Sequence, residues 1–251
     1  MSVTAEALPG LPEIGLGHDL AGTLTTAAAA IGGLGDGDVL VLAHKVVSKA
    51  EGRVRRLADV KPSARAVALA AEQGKDARHV QVVLDESAEV LRASHGVLIC
   101  VTRHGFVCAN AGVDASNTAD EDSVVLLPLD PDRSARTLRA RLRDAGGSAP
   151  AIVITDSFGR AWRNGQTDVA IGCAGLSPLD DWRGRADGAG RELRATWIAI
   201  ADEVASAADL VRVKDSREPA VVVRGLDRHV TLDDGPGAAA LRRPSTEDLF
   251  R

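Results

Sequence analysis

Ala151-Ile152-Val153-Ile154-Thr155-Asp156-Ser157-Phe158-Gly159-Arg160-Ala161-Trp162-Arg163-Asn164-Gly165-Gln166-Thr167-Asp168 begins as an unbroken apolar run and then turns polar. A short run without polar alternation reads as a strand buried on both faces. Here it delivers an acid and a hydroxyl, Asp156 and Ser157, at its end, and Arg160 and Arg163 follow. Asp38 to His44 and Ala220 to Val223 have the same buried-strand character. From Gly159 to about Arg191 the glycine-bearing sequence reads as one long loop.

Around these strands the periodicity changes. Leu20, Leu24, Ala27, Ala28 and Ile31 recur at helical spacing, stopped by Gly32-Gly33. Ser63 caps a helix from Ala64 to Gln73, which Gly74 breaks, and Asp76 to Glu86 with Glu89 to Arg92 extends the helical region. Val97 to Thr102 and Phe106 to Asn110 flank Arg103-His104-Gly105 as a β-hairpin. Ser123 to Leu129 reads as a strand, Asp132 to Ala145 as a basic helix ended by Gly146-Gly147, and Leu193 to Ala208 as a helix. Strands and helices alternate irregularly. The fold class expected is therefore α+β, with mixed or antiparallel sheets and flanking helices. No G-x-x-x-x-G-K-[ST] and no strand-linked GxGxxG occurs, so neither a P-loop nor a Rossmann fold is expected.

The 251 residues suffice for a substantial core. Thirty basic and 35 acidic residues give a net charge of -5, which speaks against a broad nucleic-acid surface. No apolar run approaches the roughly 20 residues of a membrane helix, and no basic-then-apolar leader opens the chain. Cys100, Cys108 and Cys173 lack metal-site spacing and read as buried small hydrophobes of a reducing, cytoplasmic compartment. With three Trp, three Phe and no Tyr, the core must rest on aliphatic residues.

Two loops carry candidate chemistry. In Ala111-Gly112-Val113-Asp114-Ala115-Ser116-Asn117, small residues admit a ligand to the backbone and Asp114 and Asn117 offer oxygens. A hard cation takes one or two carboxylates and fills its shell with water and phosphate oxygens; the alternative is an Asx-turn with solvated side chains. In the second loop, Asp156, Ser157, Arg160 and Arg163 suit metal and phosphate or carboxylate, against a strand followed by a charged surface loop. Lys45 and Lys49 follow a strand four residues apart, to grip phosphates or to line a solvated helical face. His44 and His104 have no GxSxG nucleophile beside them, so a triad is not expected.

Several segments, in order, resemble the coenzyme F-420 gamma-glutamyl ligase family. They are Leu11-Pro12-Glu13-Ile14, Lys45 to Gly52, Ala111 to Asn117, Ile154 to Gln166, Ala170 to Gly175, Ala201-Asp202-Glu203 and Val223-Arg224-Gly225. The resemblance implies a GTP-dependent ligase, with magnesium or manganese, that adds L-glutamate to the lactyl-phosphate side chain of a deazaflavin precursor. It implies metal ligation by Asp114 and Asp156, with Ser157 assisting at a second ion. Leu11, Pro12, Glu13, Ile14, His44, Lys49 and Asn117 would surround the nucleotide, with further contacts from about Arg212 to Pro219. A homodimer is implied, and Trp162 offers a stacking face for an aromatic substrate. His44 departs from the commoner small hydroxyl residue, and Lys214 from the acid of archaeal members.

The resemblance divides the chain into a ligase domain over residues 1–226 and a polar tail or linker over 227–251. Leu241 to Arg251 resembles the junction that precedes a flavin-binding domain in two-domain bacterial relatives. The expectation is a ligase active by itself that binds no flavin mononucleotide. The alternatives are a non-catalytic nucleotide- or deazaflavin-binding domain, and a ligase of this fold for another carboxylate.

Overall fold

Strands 39–43 and 151–160 lie side by side and parallel, from Val39 against Ala151 to Ala43 against Thr155. The computed structural model describes residues 2–116, 122–213 and 217–248. In chain order its elements are β1 (Thr4–Ala7), α1 (Leu20–Ala28), β2 (Val39–Ala43), α2 (His44–Ala50), β3 (Val54–Arg56), α3 (Ala64–Gln73) and α4 (Ala77–Glu86). There follow β4 (Ser87–Ser94), β5 (Val97–Thr102), β6 (Val107–Ala109), β7 (Ser123–Val125), α5 (Pro131–Gly146), β8 (Ala151–Arg160) and β9 (Arg163–Ala174). Last come β10 (Asp180–Asp181), β11 (Trp197–Ile198), α6 (Ile200–Val211) and β12 (Ala220–Arg224).

The main sheet runs β1-β12-β2-β8-β9 and is antiparallel except for the β2–β8 pair. Alternate residues serve opposite cores. Leu40, Leu42, Ile152, Ile154 and Val222 pack with Leu24 of α1 and Leu138 and Leu142 of α5. Val39, Val41, Val153, Val221 and Val223 pack with Ile200, Val204 and Ala208 of α6. Covered on both sides, these strands must be apolar throughout, which is why they stand out in the sequence. A third core joins α3 and α4 to the β4-β5-β6 sheet through Val80, Val83, Leu98 and Cys100. The architecture is α+β with mixed and antiparallel sheets, as expected. Among the described residues no helix is long and apolar enough to cross a membrane.

Four elements depart from the sequence reading. The first part of the long loop expected from Gly159 to about Arg191 is in fact a β-hairpin: β8 and β9 pair from Ile152–Ala174 to Arg160–Arg163. Its outer half is exposed, so its polar residues give no alternating signal. Glu89 to Arg92 is strand rather than helix: Ser87 takes an extended conformation, its hydroxyl donates to the Val83 carbonyl at 2.6 Å, and β4 pairs with β5. The last helix begins at Ile200, because Trp197 and Ile198 pair with Asp181 and Asp180. Strand β7 ends at Val125, short of Leu129. In the C-terminal segment Ala238 is fully buried, and Val230 and Leu241 pack against the α6-side core.

Candidate active site

The β2–β8 register sets the site. Because Ala43 faces Thr155 on a parallel neighbour, the next residues, His44 and Asp156, emerge side by side where β2 ends and β8 continues. His44 is 2% exposed, its Nε2 lies 3.4 Å from Asp156 Oδ1, and its Nδ1 lies 3.2 Å from Ser48 Oγ. Among the described residues Nε2 has no hydrogen-bond partner. Burial pushes the His44 imidazole down to about 4, with neighbouring Lys45 adding to the effect. Burial also pushes the Asp156 carboxyl up to about 7; the Ser157 N–H at 2.8 Å opposes this, and Asp114 and Asp168 reinforce it. Ion pairing would move both groups the other way. At 3.4 Å it is weaker than the loss of hydration, so burial favours the uncharged form of each.

Asp114 reaches the same place from the third core. A left-handed turn at Asn110, Ala111 and Gly112 delivers it, and its backbone bonds Val125 in both directions at 3.0 and 2.8 Å. Its side chain accepts from the Ser116 N–H at 2.6 Å, an Asx-turn, and pairs with Lys45 Nζ at 2.7 Å. The Asx-turn is thus formed, and the same carboxylate carries the ion pair with Lys45. Burial alone would raise the Asp114 carboxyl, but Lys45 and the Ser116 contacts hold it below its ordinary value. Lys45 also donates to Ser116 Oγ at 2.6 Å. Lys49, one turn along α2, pairs with Glu13 at 2.5 Å. Ile14 is buried, Leu11 packs on the core, and Pro12 borders a groove of about 590 Å³ with His18, Thr23 and Thr26.

On the opposite face of β8 a second polar group was not foreseen. Asp168 on β9 is buried. It accepts from Ser157 Oγ at 2.6 Å and Thr155 Oγ1 at 2.7 Å, and pairs with Arg212 at the end of α6. The signal was a lone acid abutting Val169-Ala170-Ile171, and only the hairpin register makes it face Ser157. Arg160, Trp162 and Arg163 sit instead at the exposed hairpin tip, with Trp162 81% exposed. Nearer Asp156, the Phe158 and Phe106 rings meet edge-on at 6.1 Å. Asn117 and Lys214 lie outside the described residues.

Comparison with known proteins gives this arrangement a lineage. A family model described as F420-0:Gamma-glutamyl ligase matches residues 10–225. The Coenzyme F420:L-glutamate ligase of Methanothermobacter thermautotrophicus is 43% identical over 254 residues, spanning 100% of both chains. That of Methanopyrus kandleri is 45% identical across 98% of this chain and 96% of its own. That of Archaeoglobus fulgidus is 46% identical across 90% and 89%. The matched stretch contains both carboxylates, both lysines and the whole β8–β9 hairpin, and the chain belongs to the F420-0:gamma-glutamyl ligase family.

Proposed function

We propose that this chain joins L-glutamate to the lactyl carboxylate of the deazaflavin precursor F420-0, consuming GTP with the help of magnesium or manganese. The observation that carries the reading is the charge state of the site. Burial, reinforced by Asp114, pushes the Asp156 carboxyl up to about 7, and the nearby Lys45 is already paired with Asp114. An opposite charge beside such a group restores its ionised form. Among the described residues no three His, Cys, Asp or Glu side chains converge as a ligand set. Two carboxylates are nonetheless donor chemistry for a hard ion whose remaining positions fall to water and phosphate oxygens. Asp114 and Asp156 would hold that ion, and Ser157, on the other face of β8, would assist at a second one. Bound there, it would neutralise charge on the phosphate groups.

The remaining work falls to positioning. A precursor carboxylate oxygen attacks the γ-phosphorus of GTP; the O–P bond forms as the bond to the β-phosphate oxygen breaks, and GDP leaves. The uncharged glutamate amine then attacks the acyl carbon. A C–N bond forms, inorganic phosphate departs and the amine proton is lost. Such a transfer needs no protein nucleophile. Lys45 and Lys49 supply positive charge for phosphates, and His44 supports Asp156 from beneath.

Mass spectrometry of F420-0 incubated with the protein, GTP, L-glutamate and manganese tests the proposal. The expected products are glutamylated precursor and one GDP per amide bond. Intact precursor with no GDP formed would make the chain a binding domain. GDP formed without glutamylated product would point to another carboxylate substrate.

Lys49 gives a narrower prediction. A lysine on phosphate makes a charge-assisted contact worth roughly 1.5–3 kcal/mol, so Lys49→Ala should weaken GTP binding by about tenfold or more while sparing the precursor. Calorimetry with each ligand decides it. Equal losses, or none, would return Lys49 to a surface pair with Glu13.

A further inference from the structure

We infer that Asp168 is a positioning residue of this site, acting through Ser157; the inference rests on the metal-dependent reading above. Ser157 and Asp168 are directly opposed on the antiparallel β8–β9 ladder. Ser157 Oγ donates to Asp168 Oδ1 at 2.6 Å. A serine hydroxyl has one proton and two lone pairs. With the proton committed to a carboxylate, the oxygen meets any further partner as an acceptor. An oxygen so fixed suits a hard divalent cation and repels an anion.

The rest of the group holds Asp168 in place. Its Oδ2 accepts from Thr155 Oγ1 at 2.7 Å and pairs with Arg212 Nη2. Arg212 also donates to Thr155 Oγ1 at 3.0 Å and to the Pro219 carbonyl at 3.3 Å. The Asp168 and Arg212 side chains are 3% and 9% exposed. Ser206 of α6 donates to the Asp168 backbone carbonyl at 3.1 Å. Asp168 is thus fixed from β8, β9 and α6 at once, on the face of β8 opposite to Asp156. Asp156 presents its carboxylate from one side of the strand, and Asp168 presents the Ser157 oxygen from the other.

A purely structural staple between β9 and α6 would use the same bonds, so the test must read something that a staple does not move. Removing Asp168 alone would strand the Arg212 charge in the interior, which threatens the fold. Replacing the pair together, Asp168→Leu with Arg212→Met, exchanges a buried ion pair for apolar volume, a change that folded proteins commonly tolerate. Manganese affinity is measured by the electron paramagnetic resonance signal of free Mn2+, with GTP present and F420-0 absent. The proteins compared are wild type, Ser157→Ala, the pair replacement and the triple variant, with circular dichroism melts to verify folding.

Ser157→Ala and the pair replacement should each weaken Mn2+ binding by about tenfold, the scale of groups that orient a metal's ligands. The triple variant should be no weaker than Ser157→Ala. Unchanged Mn2+ affinity in Ser157→Ala overturns the inference whether or not the other variants fold. Losses that multiply in the triple variant overturn it too, because Asp168 would then act by another route. Wild-type protein that binds no Mn2+ overturns the metal-dependent reading itself, and this inference with it.

Discussion

Asp156→Asn is expected to yield a protein that no longer forms the amide bond yet melts at a higher temperature than wild type. The loss follows from the ligand chemistry: an amide is a poorer donor than a carboxylate for a hard cation. Turnover should fall by more than the 10- to 100-fold typical of groups that only orient a ligand. The gain follows from the same burial. In the metal-free protein the Asp156 carboxyl stands at about 7 against an ordinary 3.8. A carboxyl raised on folding contributes fully below about pH 4, and its contribution is lost as the pH rises through 7. Above that pH the wild type carries a buried charge that the asparagine variant lacks. At about 1.4 kcal/mol per pKa unit, the buried charge costs the wild type about 4 kcal/mol above pH 7; burying the asparagine amide offsets about half of that, so the gain should be on the order of 2 kcal/mol, or roughly 4–8 °C for a chain of this size. Measurement at pH 8 without metal isolates the effect, because His44, pushed down to about 4, is neutral there in both folded and unfolded states. On acidification His44 acts oppositely: its contribution is present above 6.5 and falls away towards 4. Near-normal turnover at low metal, or a lower melting temperature at pH 8, would remove Asp156 from the role given to it.

The elements visible in the sequence are those whose burial is uniform or whose ends are chemically marked. Strands β2 and β12 and the inner half of β8 are covered on both faces, and their apolar runs announce them. Helix α3 was bounded by Ser63, whose hydroxyl accepts from the Ala66 N–H at 3.2 Å, and by Gly74 at φ +63°. The outer half of the β8–β9 hairpin was hidden because an exposed ribbon has no buried face to impose alternation. Of the site, Asp114 and Asp156 were legible as acids at the ends of apolar segments. That they act together was expected only through the family resemblance: Asp114 arrives from a different core, and Asp156 meets His44 only through the parallel register of β2 and β8. Asp168 was illegible for a related reason, since its partners lie 11, 13 and 44 residues away in sequence. Residue type marks a candidate, and only tertiary register decides what it faces.

Arg139→Ala should show the reverse pattern to Asp156→Asn: a large loss of stability with normal turnover per folded molecule. Arg139 is 6% exposed on α5. Its guanidinium donates to the carbonyls of Thr231 at 2.9 Å, Leu232 at 3.2 Å and Asp233 at 3.1 Å. It also reaches Asp234 Oδ1 at 2.9 Å and the Pro150 carbonyl at 3.3 Å. Around it the chain leaves no slack: Gly175 has φ +71°, and a Cβ there would lie 2.5 Å from Arg139 Nε. Truncation would leave several carbonyls without their donor, while Asp234, 46% exposed, keeps part of its hydration; at about 1 kcal/mol per lost hydrogen bond the cost is on the order of 3 kcal/mol. For a chain of this size that is a fall in melting temperature of roughly 6–12 °C. Arg139→Lys should recover little, because a single ammonium cannot reproduce a planar fork that serves several acceptors. None of these bonds involves Asp114, Asp156, Ser157 or Asp168, so turnover corrected for folded fraction should stay within about twofold of wild type. Calorimetric melts with folded-fraction-corrected turnover at 20 °C test both halves. A melting temperature within 2 °C of wild type would mean that residues 231–234 are held without the arginine. Proportional loss of turnover in fully folded protein would mean that this anchor, midway along α5, is coupled to Asp114 and Asp156.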